Sequence, residues 1–264
     1  MTLGVFQEDV LQGRVALITG GGTGIGFEIA SALAALGAHT VIVGRRLEVS
    51  EEAAKQLSAK GLRASARRLD VRDFEMVKDV VDGIVRDFGS LDILINNAAG
   101  NFRCETEKLT ANGWRTIIDI DLNGTFNCSR AAFEPLSQSK YIGRIVSIVT
   151  SYGLSGWPGC APAGAAKAGI LSLMRTLAVE WGNRNILCNS VAPGAIGNTE
   201  GAKRIHEDSG RAAHELSRVP VGHFGSTSDI ANAVAFLVSP AGSYINGADL
   251  TVDGGRQFSF GTAS

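Results

Sequence analysis

The chain alternates short β-branched runs with longer stretches of helical period, and no other feature limits its possible folds so sharply. Seven runs read as strands: Val15 to Thr19, Thr40 to Val43, Ala64 to Leu69, Leu91 to Asn96, Arg144 to Val149, Ile186 to Val191 and Asp249 to Val252. Between them lie helical stretches, including Gly24 to Leu36, Glu48 to Lys60, Phe74 to Phe88, Ala111 to Leu136, Ala163 to Trp181 and Ser228 to Leu237. A strand followed by such a helix crosses over right-handedly and pairs in parallel with the next strand. The strands read as continuous apolar runs, Leu91-Asp92-Ile93-Leu94-Ile95 for example, which predicts burial on both faces. The expected architecture is α/β: a doubly wound, parallel, seven-stranded sheet with helices on both faces.

No Pro-rich or Ser-rich linker, long charge run or internal repeat interrupts the alternation, so residues 1–264 are expected to form one domain. The stretch 194–225, rich in Gly, Ser and charge, is expected to carry a substrate loop and short helix. Lys+Arg 25 against Asp+Glu 26 leaves no basic excess, so a nucleic-acid partner is not expected. No apolar run approaches a membrane span. The cysteines Cys104, Cys128, Cys160 and Cys188 form no C-x-x-C pair and read as buried thiols in a reducing compartment. The histidines His39, His206, His214 and His223 show no metal spacing, so no metal is expected. Met1 to Gly13 mixes Glu8 and Asp9 with isolated apolar residues, unlike a signal or transit peptide. Thr262-Ala263-Ser264 is not a peroxisomal address, so the chain as given is expected to stay cytoplasmic.

The first strand runs into Thr19-Gly20-Gly21-Gly22-Thr23-Gly24-Ile25-Gly26, and a helix follows at once. Glycines there let backbone approach a pyrophosphate, and the helix N-terminus offers it unpaired N–H groups and partial positive charge. This turn, Asn96-Asn97-Ala98-Ala99-Gly100 after the fourth strand and Asn189-Ser190-Val191-Ala192-Pro193-Gly194 at the sixth together resemble the short-chain dehydrogenase/reductase family. The resemblance implies a Rossmann fold binding NAD(H) or NADP(H). It implies cofactor contacts at Gly20, Thr23, Gly24, Ile25, Gly26, Asp70, Val71, Asn97, Lys167, Pro193, Gly194 and Ile196, with Asp70 on the adenine. Charge argues which cofactor. A ribose 2′-hydroxyl wants a carboxylate at the end of the second strand, whereas Val43-Gly44-Arg45-Arg46 offers two guanidiniums suited to a 2′-phosphate, so NADPH is expected.

The family normally carries Ser, Tyr and Lys, the last two as Tyr-x-x-x-Lys, where the phenol trades a proton with a carbonyl or alcohol. Lys167 stands at the lysine position, but Ala163 occupies the tyrosine position and Thr150 the serine position. Tyr141, Tyr152 and Tyr244 are the only tyrosines, and none has Lys four residues on. Ordinary alcohol or ketone chemistry by the standard route is therefore not expected. The segments 97–102, Asp119-Ile120-Asp121, Leu177-Ala178-Val179-Glu180-Trp181-Gly182 and Pro193 to Gly201 resemble the 2,4-dienoyl-CoA reductase branch, most closely its peroxisomal type. That branch reduces 2,4-dienoyl-CoA with NADPH to a 3-enoyl-CoA in the breakdown of unsaturated fatty acids. Hydride addition to the far end of a conjugated thioester needs a stabilised oxyanion and a placed acid, not a phenol as such.

By this resemblance Lys167 supplies positive charge and holds the nicotinamide ribose, and Asp121 works with it on a water, as in the peroxisomal type. Tyr152 matches the donor of the mitochondrial type, and the sequence leaves the choice between Asp121 and Tyr152 open. Asn123 matches a family Asn beside a structural water; two residues from Asp121, it shares a site only if the helix is distorted there. Acyl-CoA contacts are implied at Arg72, Phe102, Thr110 and Arg204, on loops at the carboxyl ends of strands. The expected partners are thus an acyl-CoA and further copies of this chain, as a homodimer or homotetramer, with no membrane insertion. A trans-2-enoyl-CoA reductase is the nearest alternative, and a non-catalytic dinucleotide-binding scaffold is the alternative of another class. The branch resemblance also brings in the peroxisome as a second compartment.

Overall fold

The computed structural model describes residues 7–151, 156–197 and 209–259. Its strands are β1 (Val15–Thr19), β2 (His39–Gly44), β3 (Ala64–Arg68), β4 (Ile93–Asn96), β5 (Gly143–Ile148), β6 (Ile186–Pro193) and β7 (Asp249–Val252). All pair in parallel, in the order β3-β2-β1-β4-β5-β6-β7. The helices are α1 (Gly24–Ala35), α2 (Leu47–Ser58), α3 (Phe74–Phe88), α4 (Ala111–Ile118), α5 (Gly124–Ser137), α6 (Ala161–Trp181), α7 (Ser209–Ser217) and α8 (Thr227–Val238). The doubly wound Rossmann-type sheet expected from the alternation is present. Burial on both faces holds along the whole of β1, β4 and β5, but not at the sheet edges. No residue of β3 or β7 is fully buried, because an edge strand has a neighbour on one side only.

One apolar core packs α1, α2 and α8 against a face of the sheet through residues such as Ile29, Leu57 and Val234. The other packs α3, α5 and α6 through Val81, Cys128 and Ile170. Each such aliphatic side chain stabilises the fold by about 1.5–3 kcal/mol when fully buried. Local chemistry sets the ends of these helices. Asp73 caps α3 by accepting from the Met76 N–H, and Gly89, at φ 81°, turns the chain out of its last turn. Ser226 and Asp229 form a reciprocal capping box at the start of α8. Along α6, Ala163, Ala166, Lys167, Ile170, Leu171 and Met174 recur at helical spacing and are buried, which brings a lysine onto an otherwise apolar face.

Ala111 to Leu136 is not one helix. A π turn at Asp119–Asn123 separates α4 from α5, and its wider winding re-aims the side chains that follow. Of the four free thiols, Cys128, Cys160 and Cys188 are buried as expected, whereas Cys104 is half-buried.

The strand order reverses between β1 and β4, and in such sheets ligands bind at the carboxyl ends flanking that point. Asn97 ties the two strand ends together. The backbone N–H groups of Asn97 and Ala98 each donate to Thr19 Oγ1 at 3.0 Å, and Asn97 Nδ2 donates to the carbonyls of Thr19 and Gly20 at 3.0 Å each.

Candidate active site

A cleft of about 620 Å³ opens at the switch point. Gly20, Thr23, Gly24, Ile25, Gly26, Arg45, Arg46, Asp70, Val71 and Asn97 line it, and so does Phe102. The cleft's chemistry fits a dinucleotide. Thr23, the N-cap of α1, makes no side-chain cap, and the first turn carries no acid, so the turn keeps its donors and positive end for an anion. Gly20 has φ 62°, and a Cβ on Gly26 would lie 2.5 Å from Asn97 Nδ2, so the turn closes only with glycine at these places. Arg45 and Arg46, also in the lining, supply cations.

Lys167 and Asp121 meet beside this cleft from two different helical elements. Lys167 Nζ donates to the Ile148 carbonyl at 2.9 Å and lies 3.7 Å from Asp121 Oδ2. Asp121 is 1% exposed, and its Oδ1 accepts from the Gly100 N–H at 2.7 Å. Its Oδ2 is buried without a hydrogen-bond partner. Burial raises the Asp121 pKa; the Lys167 charge and the Gly100 N–H oppose that rise without cancelling it. The pair therefore presents a carboxyl that holds its proton above the ordinary range, next to an ammonium.

The remaining sequence-derived candidates divide into several groups. Asn123 does not join the pair: it is exposed, and its Nδ2 donates to Asp119 Oδ1 at 2.8 Å. The π turn directs Asp121 inward and leaves Asn123 at the surface. Arg72 is engaged with Asp70 in an ion pair of 2.5 Å. Thr110 caps α4, accepting from the Gly113 N–H at 3.0 Å. Pro193, Gly194 and Ile196 are not among the residues lining the cleft. A Cβ on Gly194 would meet Asp253 Cβ at 2.5 Å, so that glycine answers to protein packing, and Ile196 is buried in the core. Gly100 lines the cleft, yet its missing Cβ makes room for Ile117 and Ile120. Tyr152 and Arg204 lie outside the described residues.

Ala163, at the position of the absent phenol, is 2% exposed and packs with Ile117 and Cys160, with Trp157 against them. Asn101 is the residue that motif reading passed over. It lines the cleft, its Nδ2 lies 3.6 Å from Cys160 Sγ, and its Oδ1 is buried without a partner. The signal was its place in Asn97-Ala98-Ala99-Gly100-Asn101-Phe102, one residue beyond the glycine whose amide holds Asp121.

A parallel doubly wound sheet with a glycine-lined cleft at its switch point, and a buried Lys–Asp pair beside it, defines a dinucleotide-dependent oxidoreductase. The family model described as Enoyl-(Acyl carrier protein) reductase matches residues 20–257. A Bacillus subtilis (strain 168) protein named probable 2,4-dienoyl-CoA reductase [(2E)-enoyl-CoA-producing] is 42% identical over 93% of this chain and 97% of its own length. The rat (Rattus norvegicus) peroxisomal 2,4-dienoyl-CoA reductase [(3E)-enoyl-CoA-producing] is 44% identical over 95% of this chain and 86% of its own. The crystal structure of a short chain dehydrogenase from Bacillus anthracis superposes with a TM-score of 0.87 at 40% identity, covering 93% of this chain and 97% of that one. The chain belongs to the short-chain dehydrogenase/reductase family, whose reductases bind a nicotinamide dinucleotide. No helix among the described residues is long and apolar enough to cross a membrane.

Proposed function

We propose that this protein is an NADPH-dependent 2,4-dienoyl-CoA reductase that yields a 3-enoyl-CoA. The observation that carries the reading is the Lys167–Asp121 pair, with Asp121 Oδ2 buried, facing Lys167 Nζ at 3.7 Å and accepting no hydrogen bond, in a site where Ala163 replaces the family phenol. The names of the Bacillus subtilis and rat relatives support reduction of a 2,4-dienoyl-CoA, and the rat relative's name supports the 3-enoyl product. A bound NADPH supplies the hydride. The residues of this chain then have two tasks: to hold the negative charge that develops on the thioester oxygen, and to place a proton on carbon. Lys167 brings positive charge into this buried place. Asp121, with its raised pKa, delivers the proton through a water shared with Lys167 Nζ. Tyr152 is the alternative donor. Arg45 and Arg46 favour the 2′-phosphate.

Where the proton lands decides the product: the α carbon gives the 3-enoyl-CoA, the γ carbon the 2-enoyl-CoA. The relatives' names divide along this line. A second reading, a trans-2-enoyl-CoA reductase, draws on the description of the matching family model. The deciding experiment follows loss of NADPH absorbance with 2,4-hexadienoyl-CoA and with 2-hexenoyl-CoA, and locates the product double bond by NMR. Turnover of the diene to a 3-enoyl product is expected. Turnover of the 2-enoyl substrate alone gives the second reading, and NADPH binding without reduction of either substrate gives the scaffold. A reducing compartment, the cytoplasm or the peroxisome, suits the four free thiols.

A further inference from the structure

The proposed reaction brings two polyanions into one cleft, because NADPH and an acyl-CoA each carry several phosphate charges. Among the described residues the lining offers Arg45, Arg46 and Arg103 as cations and Asp70 as its only acid. Asp70 is already answered by Arg72. Sheet order separates the cations: Arg45 and Arg46 follow β2 and Arg103 follows β4, with β1 between them, so the two strand ends stand about 10 Å apart. The Lys167–Asp121 pair belongs to the β4 side. Lys167 holds the carbonyl of Ile148, the last residue of β5, and Asp121 holds the N–H of Gly100, shortly before Arg103 in the chain. Arg103 is thus the lining cation on the side where the chemistry takes place.

The segment that carries it is fastened on both sides. Cys104 N–H donates to the Gly159 carbonyl at 2.9 Å, and Asn101 Nδ2 lies 3.6 Å from Cys160 Sγ, which ties the chain after β4 to the turn that starts α6. Arg103 Nη1 lies 3.8 Å from where a Cβ on Gly159 would stand, so the guanidinium runs along this seam. Its backbone is anchored while its side chain stays exposed. No described carboxylate lies within ion-pair distance of it, and it donates no hydrogen bond to a described residue. A guanidinium is a planar fork of N–H donors that matches phosphate oxygens, and here the fork is left open. Phe102 beside it, 40% exposed, adds an apolar surface to the same stretch of lining.

We infer that Arg103 binds a phosphate of the CoA portion of the substrate and so selects CoA thioesters over thioesters of an uncharged carrier. The inference rests on the proposed acyl-CoA reductase activity. A pantetheine arm is long and uncharged, so the thioester can react beside Lys167 and Asp121 while the phosphates lie out at an exposed guanidinium. The cofactor's phosphates have other donors in this reading, the 2′-phosphate at Arg45 and Arg46 and the pyrophosphate at the glycine turn into α1.

The test compares the whole enzyme with Arg103→Gln and Arg103→Lys on 2,4-hexadienoyl-CoA and on 2,4-hexadienoyl-pantetheine, which has the same acyl group and no phosphate. Arg103→Gln is expected to raise KM for the CoA thioester about tenfold, and Arg103→Lys, which keeps the charge without the fork, about threefold. For both variants KM for the pantetheine thioester, kcat on either substrate and the Kd for NADPH are expected within about twofold of wild type, which also shows that the fold is intact. An unchanged KM for the CoA thioester overturns the assignment, as does an equal rise for both thioesters. A rise matched by an equal loss of NADPH affinity gives the cation to the cofactor instead. If wild type reduces no dienoyl-CoA, the activity is wrong, and calorimetry with desulfo-CoA on the NADP⁺-loaded enzyme judges Arg103 alone: weaker binding by Arg103→Gln supports it, and equal binding, or none by wild type, overturns it.

Discussion

At the scale of single residues, Asp121 is where geometry and electrostatics make the sharpest demand. Folding raises its pKa from 3.8, so the folded chain holds this proton more tightly than the unfolded one. Its contribution to stability is therefore best at pH below 3.8 and is lost as pH rises through the folded pKa, where a buried carboxylate must ionise. Asp121→Asn is expected to flatten that part of the stability curve, checked by thermal midpoints across pH. The same substitution is expected to lower kcat by about 100-fold and to abolish the fall of wild-type kcat with rising pH, because general acid catalysis is typically worth ~10²–10⁴-fold. Steady-state pH profiles of the two proteins test this. At the other end of the cleft, Arg45→Ala/Arg46→Ala is expected to weaken NADPH about 30-fold and leave NADH within threefold, since charge-assisted bonds to a phosphate contribute about 1.5–3 kcal/mol. Titration with each cofactor is the check.

At the scale of elements, two features of the site are joints between helices. The π turn at Asp119–Asn123 lies between α4 and α5, and it is what brings Asp121 to the Gly100 N–H while Asn123 stays outside. Helical periodicity runs through 111–136 without a visible break, because a single widened turn changes the apolar pattern by less than one position. The second joint is the start of α6. Ala163 is packed among Ile117, Cys160 and Trp157, so the absent phenol left no vacancy behind. Ala163→Tyr is expected to overpack this cluster at about 1–3 kcal/mol, lowering the thermal midpoint by roughly 2–10 °C for a chain of this size. No alcohol oxidation is expected to appear; calorimetry and an alcohol-dependent NADP⁺ reduction assay check the two halves. Thr110 and Arg72 show why loop residues were harder to place than motif residues. Each sits where a ligand contact was expected, and each instead bonds a near neighbour in the chain, Gly113 or Asp70.

At the scale of the whole molecule, the exposed apolar side chains ask for partners. Phe126 on α5 is 50% exposed, Val179 on α6 is 84% exposed, and Phe258 near the C-terminus is 74% exposed. A homodimer or homotetramer would cover such faces. Light scattering on the eluted protein is expected to give two or four times the 27.6 kDa chain mass, and Val179→Lys to reduce it. A monomeric wild type would sink the assembly. The parts of this protein that depend on near neighbours in the chain were legible before any coordinates. The strand–helix alternation, the glycine turn into α1 and the two arginines after β2 follow from local periodicity, backbone freedom and charge, and Lys167 without its tyrosine from the family resemblance. What only the tertiary structure decided is which distant groups meet: Asp121 on Gly100 and Lys167, Asn101 on Cys160, Glu215 on Arg256. A side chain's partner across the fold is set by packing and by the need to satisfy buried polar groups, and neither is written in the residues beside it.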